Sequence, residues 1–464
     1  MNLEEKLRRL KQTAEKSARD SELERQLEYL RRVEKRSGPP GVQWQNGELA
    51  QVPPLPAHRA QHGIEAYVEG TVQRNDLGEF FVAQQALPFG RPYGKLRIAD
   101  FSTANLSSLN LFLENTALPE PSRLMFLDTE TTGLAGGTGT CAFLVGIGAI
   151  VGSQFLVRQF FLRDYPEERA MLAELASILG DYEGLVTFNG KTFDVPLLET
   201  RYALARLRSP FGRMIHLDLL HPARRMWKLR LESCALKNLE DELLGIHRQG
   251  DVEGSEIPGI YFDYLRTGDG RGLQPVFYHN ALDVISMAAL TVELANVIAT
   301  HSSNRPAACG LGVGAAANSL DLFSLSRIFE RSGSEALSLA ACRRALEAGL
   351  PDEIETQALW QLASQHKRRL EHQIAIELWQ EVSRRETPLA VRAFEELAIY
   401  YEHRGHDADK ALEYAERAMN LVRSVTGVAN SGFGSVRIPI ERLSHRMARL
   451  KKKLEKERAE LMAR

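Results

Sequence analysis

The sequence predicts a mixed α/β sheet flanked by helices, followed by an all-α repeat-like region. Three observations carry that expectation. Apolar strand-like runs alternate with amphipathic helical stretches between about residues 120 and 300. Three strands open that region before the first long helix, and beyond residue 318 strand-like runs stop. The length of 464 residues corresponds to roughly three domains. With 44% hydrophobic and 25% charged residues, the chain has globular composition, which excludes a disordered or collagen-like protein. A net charge of −2 excludes a wholesale basic coat but leaves room for a local basic channel.

The four cysteines, Cys141, Cys234, Cys309 and Cys342, are far apart and form no C-x-x-C pair. Neither a zinc cage nor a disulfide framework is expected, and reduced thiols point to the cytoplasm. The longest apolar stretch, Cys141 to Gly152, is about twelve residues, short of the ~20 of a membrane helix. The start, MNLEEKLRRLKQ, is charged and lacks a signal-peptide core. A soluble cytoplasmic protein with no membrane partner is expected.

Taken in order, residues 1–36 read as a charged helical arm, with Leu3, Leu7 and Leu10, then Leu23, Leu27 and Leu30, at helical spacing. Residues 37–62, with Pro39, Pro40, Pro53, Pro54 and Pro56, read as a linker. A small β-containing region is expected at 63–119, where two strand-like runs flank Asn75-Asp76-Leu77-Gly78 as a hairpin turn. Within 120–300, LMFLD, AFLVGIGAI and QFLVRQFFL are strands, and Met171, Leu172, Leu175, Ile178 and Leu179 mark one helix face. GLVTFN and IHLDLL are further strands; FDVPLLETRYALAR and ALDVISMAALTVELANVIA are helical. At 318–425 three helix–turn–helix units repeat, their anchoring residues Leu325, Leu362 and Leu397 spaced by 37 and 35, near the 34-residue tetratricopeptide period. A basic helix closes the chain at 438–464, with nine Lys/Arg and four Glu from Glu441 onward.

The chemistry concentrates in three segments. Asp128-Thr129-Glu130-Thr131-Thr132-Gly133 follows an apolar strand. Residues i and i+2 of a strand share a face, so Asp128 and Glu130 stand side by side while Thr129 points away. Two adjacent carboxylates repel unless a cation lies between them, and an all-oxygen donor set suits Mg²⁺ or Mn²⁺. Phe188-Asn189-Gly190-Lys191-Thr192-Phe193-Asp194 lies at a strand-to-helix junction, where Asp194 offers a third carboxylate and Asn189 a hydrogen bond that fixes the loop. Tyr278-His279-Asn280-Ala281-Leu282-Asp283 opens the last helix of the α/β region, and helical spacing sets His279 one turn from Asp283.

In order and spacing these segments resemble the three exonuclease motifs of the DEDD (DnaQ-like) superfamily, which has the ribonuclease H-like fold. The run HLDLLHPARRMWKLRLESCALKNLEDELLGIHRQGDVEGSEIP, with GGTGTCAFLVGIG, is similar more narrowly to YprB-type ribonuclease H-like proteins of bacteria. The resemblance implies that Asp128, Glu130, Asp194 and Asp283 bind two Mg²⁺ or Mn²⁺ ions, with His279 as general base and Tyr278 in reserve. The residue types depart from the superfamily, where His lies five residues before the last Asp or Tyr four; here His279 lies four before Asp283 and Tyr278 five. It implies a two-metal hydrolysis of phosphodiester bonds, 3′→5′ from single-stranded RNA or DNA ends.

Other features have plainer readings. Gly136-Gly137-Thr138-Gly139-Thr140 lacks the Gly-Lys-Ser/Thr of a P-loop and reads as a turn between strands. Asp218 reads as a supporting acid. Arg224, Arg225, Lys228, Arg230 and Lys237 form a basic stretch in which Lys228 and Arg230 are candidates to track phosphates, alongside Thr129, Asn189 and Lys191 near the motifs. Trp227 among them is a stacking candidate or a core residue. Two other functions stay open: an endonuclease on the same fold, and a non-catalytic nucleic-acid-binding adaptor whose helical repeats recruit protein partners.

Overall fold

The computed structural model describes residues 63–114, 116–133, 139–302, 318–385, 387–426 and 440–462. The charged arm, the proline-rich linker, most of the Gly136–Thr140 turn and Cys309 lie outside them.

Strands β1 (Gly70–Asn75) and β2 (Gly78–Pro88) form the expected hairpin, closing with Asn75 opposite Gly78. They do not form a region of their own. β2 continues through its second half against β7 (Gln154–Phe161), so the hairpin extends the main sheet. The reason is that β2 has two edges: Phe81, Val82 and Ala83 pair with β1 on one side and with β7 on the other. After a two-stranded ribbon, β3 (Pro92–Tyr93) with β4 (Leu96–Arg97), come β5 (Leu124–Thr131) and β6 (Ala142–Val151), then β7, β8 (Gly184–Thr187) and β9 (Ile215–Asp218). The large sheet runs β1-β2-β7-β6-β5-β8-β9. β5 is antiparallel to β6 but parallel to β8, which is parallel to β9. The sheet therefore changes character at β5, and a crevice outside the carboxyl ends of strands at such a switch is where open α/β sheets bind ligands. Mixed strands with flanking helices agree with the ribonuclease H-like expectation.

Alternation along β5 loads both faces. Leu124 and Phe126 join the core of one face, with Phe155, Val157, Val186 and Leu217. Met125 and Leu127 join the other, with Phe143, Ile147 and Leu185. Helices α1 (Glu168–Leu179) and α2 (Asp194–Leu204) cover the second face, using Met171, Leu172, Leu175 and Leu198. α3 (Leu220–Trp227) covers the first, where Trp227 is packed in the core and is not free to stack on a base. α4 (Ile257–Thr267), absent from the sequence reading, precedes the 29-residue α5 (Gln274–Ser302). The segment Arg271–Ser302 is long and apolar enough to cross a membrane, but 72% of its apolar window is buried inside the protein, as in a core helix.

α5 approaches the sheet at glycines. A Cβ on Gly148 would lie 2.5 Å from Val284, and one on Gly146 would lie 2.2 Å from Asn280 Oδ1. Gly146→Ala is therefore expected to cost about 1–3 kcal/mol through overpacking. Urea denaturation is the check, and an unchanged midpoint would mean that α5 does not sit this close.

Helices α6 (Ser319–Arg331), α7 (Glu335–Glu347), α8 (Asp352–Arg368), α9 (His372–Ser383), α10 (Pro388–His403) and α11 (Ala408–Thr426) pack as successive pairs. Leu325, Leu362 and Leu397 are buried in the first helix of each pair. The first pair is not independent of the sheet. Leu325, Ile328, Phe329 and Ala341 belong to the same core as α5, and Arg230 pairs with Asp321 at 3.0 Å. The closing helix α12 (Ile440–Met462) buries Leu443 and Leu450, and its Arg446 and Arg449 pair with Glu402.

Candidate active site

The site begins with a row across three strands. Asp128 on β5 lies opposite Gly146 on β6, which lies opposite Gln159 on β7. Over this row sits Asn280 from the start of α5. Its Nδ2 donates to Asp128 Oδ2 at 2.8 Å, and its Oδ1 accepts from Gln159 Nε2 at 2.9 Å. Gln159 Nε2 also donates to the carbonyl of Phe277, 2.7 Å away. Gly146 supplies the space that lets the amide reach Asp128. Sequence reasoning passed over Asn280, Gln159 and Gly146, though Asn280 lies inside the third motif.

Asp194 comes from the other side of β5. It opens α2, and Thr129 Oγ1 donates to its Oδ1 at 2.5 Å. The Thr129 hydroxyl is thus engaged with a carboxylate. The loop before Asp194 is pinned by Asp218, the buried end of β9. Its Oδ1 accepts the Asn189 N–H at 2.7 Å and its Oδ2 the Lys191 N–H at 3.0 Å, while Leu220 N–H donates to Oδ1 at 3.1 Å. Asn189 takes a left-handed φ of 69°, which Asn tolerates. Asp218→Ala strands these backbone donors, so a loss of about 3 kcal/mol is expected in denaturant unfolding. A loss below about 1 kcal/mol would show that water replaces the carboxylate.

His279 and Asp283 stand together on α5, with Nε2 3.6 Å from Asp283 Oδ2. Tyr278, 41% exposed, faces outward. Beneath them lies a buried group that the motifs did not reveal. Arg248 donates to Asp283 Oδ1, to both oxygens of Glu240 at 2.6 and 2.5 Å, and to Asp251 Oδ2 at 3.3 Å. Asp251 Oδ1 is 2.8 Å from His279 Nδ1. Glu240 heads a π-helical turn, Glu240–Leu244, that ends at a left-handed Gly245. These residues fall in the 216–258 run that carries the narrower resemblance, where no periodicity marked them.

The charges do not balance. Six acids crowd the site, Asp128, Glu130, Asp194, Asp283, Glu240 and Asp251, and Arg248 pairs with the last three. Burial, then Asp283, Glu130 and Asp194, hold the Asp128 carboxyl well above the usual range. Burial pushes Glu130 up to about 8 against the opposing effect of His279, with Asp283 and Asp194 adding to the rise. Burial likewise raises Asp194 to about 6 despite its bond from Thr129. Burial alone would depress His279, but Asp283, Glu130 and Asp251 outweigh it and raise its pKa. The residues fit a hard divalent cation by chemistry, because the excess charge sits on oxygen donors alone. Among the described residues no three His, Cys, Asp or Glu are placed together as a ready-made metal cage. Asn280, Thr129 and Arg248 each hold an oxygen of Asp128, Asp194 and Asp283 respectively.

The Uncharacterized protein YprB of Bacillus subtilis (strain 168) is 31% identical over 337 residues, which cover 72% of this chain and 75% of that protein. The chain belongs to the YprB family. The RNase_H_2 family of the RNase_H superfamily matches residues 125–295, the stretch from β5 through most of α5. A family B DNA polymerase from the hyperthermophilic archaeon Pyrobaculum calidifontis aligns with a TM-score of 0.33 and 14% identity, over 58% of this chain and 34% of the polymerase.

In this YprB-family chain the proposed phosphate-tracking residues fare differently. Lys191 and Lys228 are exposed. Arg230 is instead tied to Asp321 of α6, because the first helical pair packs over it. Lys191 lies close enough to His216 to add to the burial that lowers its pKa to about 4.

Proposed function

We propose that this chain is a divalent-metal-dependent nuclease of DEDD type, acting as a 3′→5′ exonuclease on single-stranded nucleic acid. The reading is supported by the crowding of acids here: Asp283 and Asp194 both add to the rise of the Asp128 and Glu130 carboxyls, and Asp283 stands 3.6 Å from His279 Nε2. These four carboxylates would hold Mg²⁺ or Mn²⁺, which supplies Lewis acidity toward the phosphoryl group. His279 Nε2 is the group that takes a proton from the attacking water. Asn280 keeps one oxygen of Asp128 in place, and Thr129 one oxygen of Asp194. The exposed Lys191, with the Asn189 loop, meets the phosphates of the strand.

End-labelled single-stranded RNA and DNA with Mg²⁺ or Mn²⁺ test the proposal, alongside a circular single strand. Stepwise shortening from the 3′ end with the circle intact is expected. Cleavage of the circle would replace the exonuclease by an endonuclease. If no oligonucleotide is degraded and Asp128→Asn changes nothing, the adaptor reading stands instead.

A further inference from the structure

We propose that Asp251 is a positioning residue that fixes His279 in the tautomer carrying its proton on Nδ1, with Arg248 locking Asp251 in turn. The inference deepens the hydrolytic reading and rests on it for its effect on rate. Its geometry stands separately. The Asp251 side chain is 4% exposed and that of Arg248 2%, so neither is oriented by solvent. Both Asp251 oxygens are held: Oδ2 accepts from Arg248 Nη1 at 3.3 Å, while Oδ1 accepts the Val252 N–H at 3.0 Å and lies 2.8 Å from His279 Nδ1. A carboxylate held by a guanidinium only accepts, so the hydrogen between Asp251 and His279 must be carried by Nδ1. Arg248 cannot swing away, because Glu240 takes its Nε and Nη2. With Nδ1 engaged, the neutral ring presents its Nε2 lone pair on the side of Asp283 Oδ2, 3.6 Å away; in the hydrolytic reading this is the nitrogen that would take the proton from water. A carboxylate behind an imidazole in this way sets which nitrogen is free to act.

The arrangement predicts what an isosteric change does. In Asp251→Asn the Arg248 guanidinium, which can only donate, keeps the amide oxygen; the amide NH₂ then turns toward His279 Nδ1 and gives up the bond from the Val252 N–H. The ring is then driven into the opposite tautomer, with its hydrogen on Nε2 and no lone pair toward the site. A network that serves folding alone would fix the same tautomer but leave kcat unchanged, so the rate separates the two roles.

The test uses the full chain, ¹⁵N-labelled at histidine, metal-free, at a pH where the imidazole is neutral; His279→Gln identifies the signals. Expected is a protonated Nδ1 and an unprotonated Nε2 in the wild type, reversed in Asp251→Asn. In steady-state hydrolysis, Asp251→Asn is expected to lower kcat about 10–100-fold with KM within about twofold, and Asp251→Glu to recover part of the loss. A wild-type ring protonated on Nε2 overturns the proposal, as does an Asp251→Asn enzyme with normal kcat. If Asp251→Asn fails to fold, the wild-type spectrum alone decides. A wild type that degrades no substrate sinks the hydrolytic reading, while the tautomer measurement, which needs neither substrate nor metal, still reports on Asp251.

Discussion

Asp283→Ala is expected to lower hydrolysis of a labelled single strand by about 10³-fold or more, while the protein remains folded. The size follows from what a carboxylate does in such a crevice: stabilising charge at a phosphoryl group through a bound cation accounts for several kcal/mol, and each 1.36 kcal/mol is tenfold in rate. The separation of activity from folding follows from Arg248. Removing one member of a buried ion pair ordinarily leaves an uncompensated charge, but Arg248 keeps Glu240 and Asp251 after Asp283 is gone. Single-turnover rates and a thermal melt on the same preparation check both halves. Residual activity within about tenfold of wild type would remove Asp283 from the reaction, because a group contributing several kcal/mol cannot be lost so cheaply.

How far the sequence reaches is clear from where each residue gets its position. Asp128 and Glu130 were legible because strand alternation is local: a period of two, after an apolar run, puts both carboxylates on one face. His279 and Asp283 were legible for the same reason with a helical period. Asn280 and Gln159 were not, because their roles depend on register. Gln159 meets Asn280, and Asn280 meets Asp128, only since β5, β6 and β7 align Asp128, Gly146 and Gln159 in one row, across separations of 121 and 152 residues between bonded partners. Arg248 and Asp251 sit in irregular backbone, where no period exists to read. α4 was missed for another reason: Ile257-Pro258-Gly259 reads as a break, whereas a proline in the first turn starts a helix. The hairpin of β1 and β2 was seen, but its membership of the main sheet was set by the second edge of β2, which only pairing with β7 reveals.

Divalent cations are expected to stabilise the folded protein in a pH-dependent way. Without them, Glu130 is raised from 4.5 to about 8 and Asp194 from 3.8 to about 6, chiefly by burial. A carboxyl whose folded pKa exceeds its unfolded one contributes stability that is fully present below the unfolded value and lost as pH rises through the folded one. The metal-free protein therefore loses stability between about pH 4 and pH 8. Cations compete with those protons, so their effect runs the other way: small at pH 5, where the carboxyls hold their protons, and large at pH 8, where they do not. At one hundred times the dissociation constant, binding contributes about 2.7 kcal/mol, a rise in Tm of roughly 3 °C for a chain of this length. Thermal melts with Mn²⁺ or Mg²⁺ across this range check the direction, and Asp128→Asn should flatten it by removing one donor and one repelling charge together. A cation effect larger at pH 5 than at pH 8 would mean that the ions bind elsewhere, on groups that do not titrate with this cluster.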